Sequence, residues 1–533
     1  MGNRGRTSTY QLSWIKDNRL KNFQKQNHRT LDFEFNLIFT NISIIKLPSY
    51  QISGIDYLPQ RHHKYIFKAF YNMNSIVNRW KSEGGYRNVL VLAVPLIIST
   101  GTVSVLHFID RMFLTWYSAD AIAASMPASM VSQAIMSFFL GVAGYTGVFV
   151  AQYYGAARYK RVGPVVWQGL YISLAGGIIL LAFIPFAEAI FNFFGHEESI
   201  QREEVIYFKV LCFSGFPAVA SAAISGYFSG RGRPWPVMWV NCIATVINLI
   251  LDYALIFGKW GFPEWGIKGA GIATVAASFS SLIIFLFLMQ TGSQNRLYHT
   301  MKGFRPDKEL LGRILKFGIP AGTQFFLDMA SFTVFLLILG RLGTVSLVAS
   351  NIAFNINSLA FMPMIGCGNA VSILVGQFLG KGRPDLAEKS SYSGFHLTFI
   401  YMLSISIAYV AVPWLFIAPF AAKADPATFG EIADLSVILL RFVAIYSIFD
   451  TLSIIFSSAV KGAGDTRFVM YMTVTIGWLV MVIPTYLSVV VLGYGIMACW
   501  IFATLCVITL GIGFLLRFLN GKWKTMLVIE RPN

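Results

Sequence analysis

Charge is what this sequence has least of. Of its 533 residues only 13% are Asp, Glu, Lys or Arg, while 56% are hydrophobic, a balance outside the range of ordinary water-soluble domains. Its five cysteines (Cys212, Cys242, Cys367, Cys499 and Cys506) fall inside apolar runs with neither CxxC nor His/Cys ligand spacing. That excludes a disulfide framework or a zinc site and leaves apolar packing. No GxxxxGK[ST] run occurs, so nothing provides for ATP as an energy source. Neither a nucleophile/base constellation nor a metal-ligand cluster is present, so the chain does not read as an enzyme and no cofactor or resident metal is expected. Acids are scarcer than bases, 25 against 42, for a net charge of +17. The excess lies in particular loops and in the N-terminal segment rather than along one groove-lining element, which argues against nucleic acid and for membrane topology.

What is present is a succession of long apolar runs, each exceeding the ~20 helical residues that cross a bilayer, without the alternation of barrel strands. Twelve spans are expected, at about 87–114, 122–153, 164–194, 205–229, 236–258, 267–290, 311–340, 347–379, 390–419, 434–460, 468–492 and 496–518. The fold class is therefore all-α, a polytopic membrane protein with twelve transmembrane helices.

The loops after even-numbered spans hold Arg158, Lys160 and Arg161, then Arg231 and Arg233, then Arg296, Lys302, Arg305, Lys308 and Arg313, then Lys381, Arg383 and Lys389, then Lys461 and Arg467. The opposite loops hold Arg202, Lys259, Lys268, Arg341 and Lys423, beside acids such as Glu197, Glu198 and Asp425. By the positive-inside rule both termini are expected in the cytoplasm.

The chain also repeats itself. A shift of 225 residues lays Pro95 on Pro320, Gly141 on Gly366, Gln152 on Gln377, Gly155 on Gly380 and Arg158 on Arg383. Later the shift becomes 232, pairing Gly230, Gly232 and Val237 with Gly462, Gly464 and Val469. Two homologous six-helix bundles follow, residues 85–305 and 306–533, the second with a short cytoplasmic tail. Six is even, so the repeat is parallel, about an axis along the membrane normal, with a substrate site expected between the lobes.

Residues 1–84 form a basic N-terminal extension. Its first 80 residues carry 12 Lys/Arg against 4 Asp/Glu, and "FNLIFTNISIIKL" is too short and polar for a span or a signal peptide. Most of it is expected to be disordered. Within it Ile66, Phe70, Met73, Val77 and Trp80 share a helical face with Lys64, Lys68, Arg79 and Lys81 nearby, which suits an interfacial helix over 64–81 on an anionic leaflet.

Acids inside spans cost ~2.5 kcal/mol or more, so each is a functional candidate. Asp110 lies in span 1, Asp252 in span 5, Asp328 in span 7 and Asp450 in span 10. Three have a polar companion four residues earlier, on the same helix face: Asn248, Gln324 and Tyr446. Asn351 and Asn355 in span 8 share that spacing. Amides alone read as interhelical glue. A carboxylate is different, because an unpaired buried acid takes up a proton or recruits a cation. Glu188, Lys209 and Arg441 lie near span ends, where they can snorkel.

Residues "NLILDYALIFGKWGFPEWGIKGAGIAT", "FIDRMFLTWYSADAIAA", "FGIPAGTQFFLD" and "DTLSIIFSSAVKGAGDT", in their order and with the duplication, resemble the multidrug and toxic compound extrusion (MATE) family, with NorM-like and DinF-like features mixed. The resemblance covers roughly residues 85–518. It implies a secondary active transporter in a bacterial inner membrane that exports small organic compounds, often cationic, in exchange for Na⁺ or H⁺. It also implies that Asp110 is the N-lobe carboxylate, with Asn248 and Asp252 as the polar pair around it in the proton-linked branch. Asp450 and Tyr446 match the NorM-like cation-binding acid and aromatic hydroxyl. Asp328 stands where that branch has Glu, one methylene shorter. Coupling is thus expected at Asp110, Asn248, Asp252, Asp328, Tyr446 and Asp450, with Gln324, Asn351 and Asn355 lining the substrate cavity, in a monomer.

Three other readings remain. A lipid-linked oligosaccharide flippase of the same superfamily needs a cationic cavity, and the central ionisable groups here are acids. A membrane enzyme lacks its constellation, and an ion channel sits poorly with two duplicated lobes.

Overall fold

The structure, a computed structural model, describes residues 78–290, 293–421 and 426–530. The interfacial helix expected over 64–81 lies outside the described residues as far as 77. The described residues hold twelve helices long and apolar enough to cross a membrane: Tyr86–Tyr117, Ala119–Gly155, Tyr159–Phe194, Glu198–Gly230, Trp235–Ile256 and Gly266–Gln290, then Lys308–Gly340, Thr344–Gly380, Pro384–Ala411, Phe429–Ala463, Thr466–Val491 and Ile496–Leu519. They are spans 1–12 below, and no strand occurs among the described residues. Lys461, expected in a loop, belongs to span 10.

Prolines leave their mark where a backbone donor is missing. Span 3 tightens to a short 3₁₀ turn at Ile184–Phe186, around Pro185. Span 11 widens to π-helix over Gly477–Val482 and Leu487–Val491, on either side of Pro484. There the ring removes one hydrogen bond and displaces the carbonyl four residues back.

Four hydrophobic cores form, and their membership locates where the lobes join. At the end carrying the basic loops, one core joins Phe149, Tyr227 and Phe285 of the first lobe to Leu310, Ile314 and Val528 of the second. Another joins Val89, Leu92 and Ala151 to Phe378, Phe456 and Phe514. At the opposite end each core belongs to one lobe: Phe113, Phe191 and Phe208 in the first, Phe335, Tyr409 and Trp500 in the second. The lobes are fused at the basic end and separate at the other.

Close backbone approach makes that fusion possible. A Cβ at Gly155 would sit 2.0 Å from the Gln377 carbonyl oxygen, and one at Gly380 2.2 Å from that of Gln152, so only glycine fits either crossing. The side chains complete a reciprocal clasp. Gln152 Nε2 donates to the Gly462 carbonyl at 3.1 Å, and Gln377 Nε2 to the Gly230 carbonyl at 2.8 Å. Each pair is the repeat image of the other. Gln152 Oε1 in turn accepts from the backbone N–H of Val528 at 2.9 Å, which draws the C-terminal tail into the crossing.

Candidate functional site

The first lobe concentrates its polarity in one place. Span 5 packs against spans 1 and 6, and the four-residue spacing stacks Asn248 over Asp252 on one helical face. That face meets Asp110 of span 1. All three residues are buried, Asp252 at 0% exposure. The Asn248 amide lies between the carboxylates. With its nitrogen turned toward them it donates to Asp110 Oδ1 at 2.9 Å and to Asp252 Oδ2 at 3.0 Å, the orientation that satisfies all three groups. The two carboxyls are also near enough to hydrogen-bond each other once one carries a proton. Asp252 Oδ1 accepts nothing from any described residue. Buried Tyr207 of span 4 stands within electrostatic reach of both acids, and Arg111, next to Asp110 in sequence, is exposed.

Asp110, Asn248 and Asp252 are buried together inside the first lobe. The reason is helix packing: span 5 is held between spans 1 and 6, so its polar face meets span 1 rather than the other lobe.

The second lobe is arranged differently. Asp328 of span 7 is exposed and Asp450 of span 10 half-buried, within electrostatic reach of each other. Tyr446, one turn before Asp450, is buried, and its hydroxyl accepts from Asn357 Nδ2 at 3.2 Å. Gln324 Nε2 donates to Thr473 Oγ1 at 3.5 Å, linking spans 7 and 11. Asn351 and Asn355 lie on the exposed face of span 8, where Asn355 Nδ2 donates back to the Asn351 carbonyl at 2.8 Å. Asp328, Asp450 and Tyr446 thus come together, while the Asn355 amide is taken up by its own helix.

Two residues escaped the sequence reading. Asn357 follows Asn355 by two positions, about 200° around the helix, so it lies off the face that the four-residue spacing of Asn351 and Asn355 marks. Lys461 lies within electrostatic reach of Asp328, a relation hidden while it counted as a loop residue. Near the span ends, Lys209 Nζ and Glu188 Oε1 pair at 2.9 Å.

The chain is similar to known proteins in sequence and in fold. The MatE family model matches residues 95–254 and 320–487, one stretch in each lobe. A probable multidrug resistance protein NorM from Synechocystis sp. is 27% identical over 418 residues, 78% of this chain and 90% of that protein. Another from Thermotoga maritima is 26% identical over 447 residues, 84% of this chain and 94% of that one. A solved structure described as the outward-facing conformation of a multidrug resistance MATE family transporter superposes with a TM-score of 0.75. It covers 85% of this chain and 99% of that one at 18% identity, a likeness of fold.

Proposed function

The chain belongs to the MatE family of membrane transporters, and from that premise we propose that it exports small organic compounds, often cationic, in exchange for an inward-moving proton. Its NorM relatives are named probable multidrug resistance proteins, which efflux of such compounds would explain. The observation that carries the coupling is the sealed Asp110–Asn248–Asp252 arrangement. Two carboxylates held against one amide cannot both stay charged without cost in a water-poor interior, and a single proton relieves the repulsion. The amide then holds whichever carboxylate remains charged.

Transport follows if proton and cargo stabilise different arrangements of the lobes, since only differential affinity shifts such an equilibrium. The separate cores at one end and the shared cores at the other support a state open on the side away from the basic loops. By the positive-inside rule that open side is the exterior and both termini are cytoplasmic. Closing there and parting at the Gln152/Gln377 clasp would give the opposite state. The more open Asp328, Asp450 and Tyr446 cluster supports a second reading, in which Na⁺ is the coupling ion, because half-exposed oxygens suit a partly hydrated cation.

Proteoliposomes loaded with a fluorescent organic cation, under an imposed pH gradient or an imposed Na⁺ gradient, test both readings. Proton coupling predicts efflux under the pH gradient alone and its loss in Asp252→Asn. Efflux driven by Na⁺ alone, and lost in Asp450→Asn, would replace it with the second reading. Indifference to both gradients would end the antiport proposal.

A further inference from the structure

At the basic end of the first lobe, the turn joining spans 2 and 3 faces the segment that follows span 6 across a cavity of about 330 Å³. Arg158, Lys160, Arg161 and Arg296 line it, with Tyr159 and Leu297, and no carboxylate is among its lining residues. Two of the four cations are compensated from outside. Arg158 Nη1 pairs with Glu530 Oε2 at 3.4 Å, a carboxylate shared with Arg313, and Arg161 Nη1 pairs with Asp307 Oδ2 at 2.9 Å. Lys160 and Arg296 make no ion pair among the described residues. Among the described residues the cavity therefore keeps an excess of two positive charges.

Its pseudo-equivalent in the second lobe has no such excess. The repeat places Asp385 where Lys160 stands, and Arg383 donates to it twice, at 3.0 and 2.8 Å. The turn also differs at Ala157, which holds a left-handed φ of 56° where the second lobe has Gly382 at 71°. A non-glycine residue kept in that region marks a turn shaped by its surroundings, and this one presents Arg158 and Lys160 to the cavity.

The surroundings fix the depth of the cavity. The segment carrying Arg296 exposes Leu297, Met301 and Phe304, and bears Lys302 and Arg305 beside them. It is tied to span 3 by two aromatic donors: Trp167 Nε1 to the Thr300 carbonyl, and the Tyr171 hydroxyl to the Phe304 carbonyl. Trp and Tyr anchors, apolar side chains turned outward and adjacent cations are the pattern of a segment lying at the headgroup level of a bilayer.

We propose that this cavity binds the phosphate headgroup of an anionic membrane phospholipid, whose acyl chains lie along Leu297, Met301 and Phe304. A phosphodiester monoanion suits forked arginine donors and a lysine point charge. The ammonium of a zwitterionic headgroup would meet repulsion in the same place. A free phosphate has the same anionic chemistry but gains nothing from the apolar flank.

The full-length protein in nanodiscs or mixed micelles tests this by native mass spectrometry and thermal unfolding, with phosphatidylglycerol, phosphatidylcholine or inorganic phosphate as probes. Phosphatidylglycerol is expected to be retained and to raise the unfolding midpoint, and neither other probe to do so. Lys160→Asp, which copies the second lobe's charge pattern, and Arg296→Ala are each expected to weaken phosphatidylglycerol retention by about fivefold. Both positions are exposed, and Lys160→Gln serves if the acid perturbs folding. Arg383→Ala, on the lobe already neutralised by Asp385, should leave retention unchanged. Equal retention in wild type, Lys160→Gln and Arg296→Ala overturns the proposal, as does equal protection by phosphatidylcholine. Equal protection by inorganic phosphate overturns the lipid as the ligand.

Discussion

The two lobes follow one backbone plan and hold their polar groups in different places. By the repeat register, the positions of Asp110, Asn248 and Asp252 are taken in the second lobe by Phe335, Val480 and Pro484. Phe335 is fully buried among apolar neighbours. In the other direction, Asp328, Tyr446 and Asp450 correspond to Val103, Ser214 and Ala218. Each lobe thus has its acids where the other is small or apolar, and the settings differ: a closed, amide-bridged pair in the first, an exposed and a half-buried acid in the second. A duplicated scaffold with one such site per half has room for two chemically unlike cation sites, because helix packing fixes backbone positions while leaving each polar face to be chosen separately.

Asp252→Asn should widen that contrast most. Gradient-driven efflux should fall about tenfold or more, equivalent to ~1.4 kcal/mol of lost coupling, while the unfolding midpoint in detergent stays level or rises as the repulsion between carboxylates disappears. A drop in both would mean that the acid is structural rather than a proton carrier. Asn248→Leu removes two hydrogen bonds to carboxylates at ~1.5 kcal/mol each, so a destabilisation of about 3 kcal/mol is expected. The corresponding loss for Asn357→Leu, with one neutral partner, is ~1 kcal/mol. Chemical denaturation of the two variants side by side compares the lobes directly, and equal losses would erase the distinction between them.

The clasp tests the lobes' likeness instead of their difference. Gln152→Ala and Gln377→Ala each delete a side-chain donor to a backbone carbonyl of the other lobe, worth ~1 kcal/mol. The basic side should therefore open about fivefold more often, as read by the labelling rate of a single cysteine placed beside Gly462. Unequal effects would show that the C-terminal tail, whose Val528 N–H bonds to Gln152 and not to Gln377, sets the balance. The smallest change is expected for Asp328→Asn, within ~0.5 kcal/mol of wild-type stability, because an exposed carboxylate gives up little when neutralised.

Hydropathy, the duplicated glycines and the loop charges of the sequence are enough for the twelve spans, the two lobes and the paired turns. Those signals are local or periodic, and a bilayer leaves the backbone few alternatives to a helix. The four acids and three of their i−4 companions are legible for the same reason, since a polar group in an apolar run stands out and a helix turns at a known angle. What they face was not legible. The sealing of Asp110, Asn248 and Asp252 inside one lobe depends on span 5 lying between spans 1 and 6. The reach of Asn357 to Tyr446 depends on how span 8 is rotated, and the nearness of Lys461 to Asp328 on where span 10 ends.

By itself the sequence determined the architecture, the family likeness and which residues are costly enough in lipid to need a purpose. Only the tertiary structure decided which of them meet, because contacts between helices hundreds of residues apart are set by the rotation and depth of each span. Those depend on the packing of all its neighbours at once, and no short stretch of the chain encodes them.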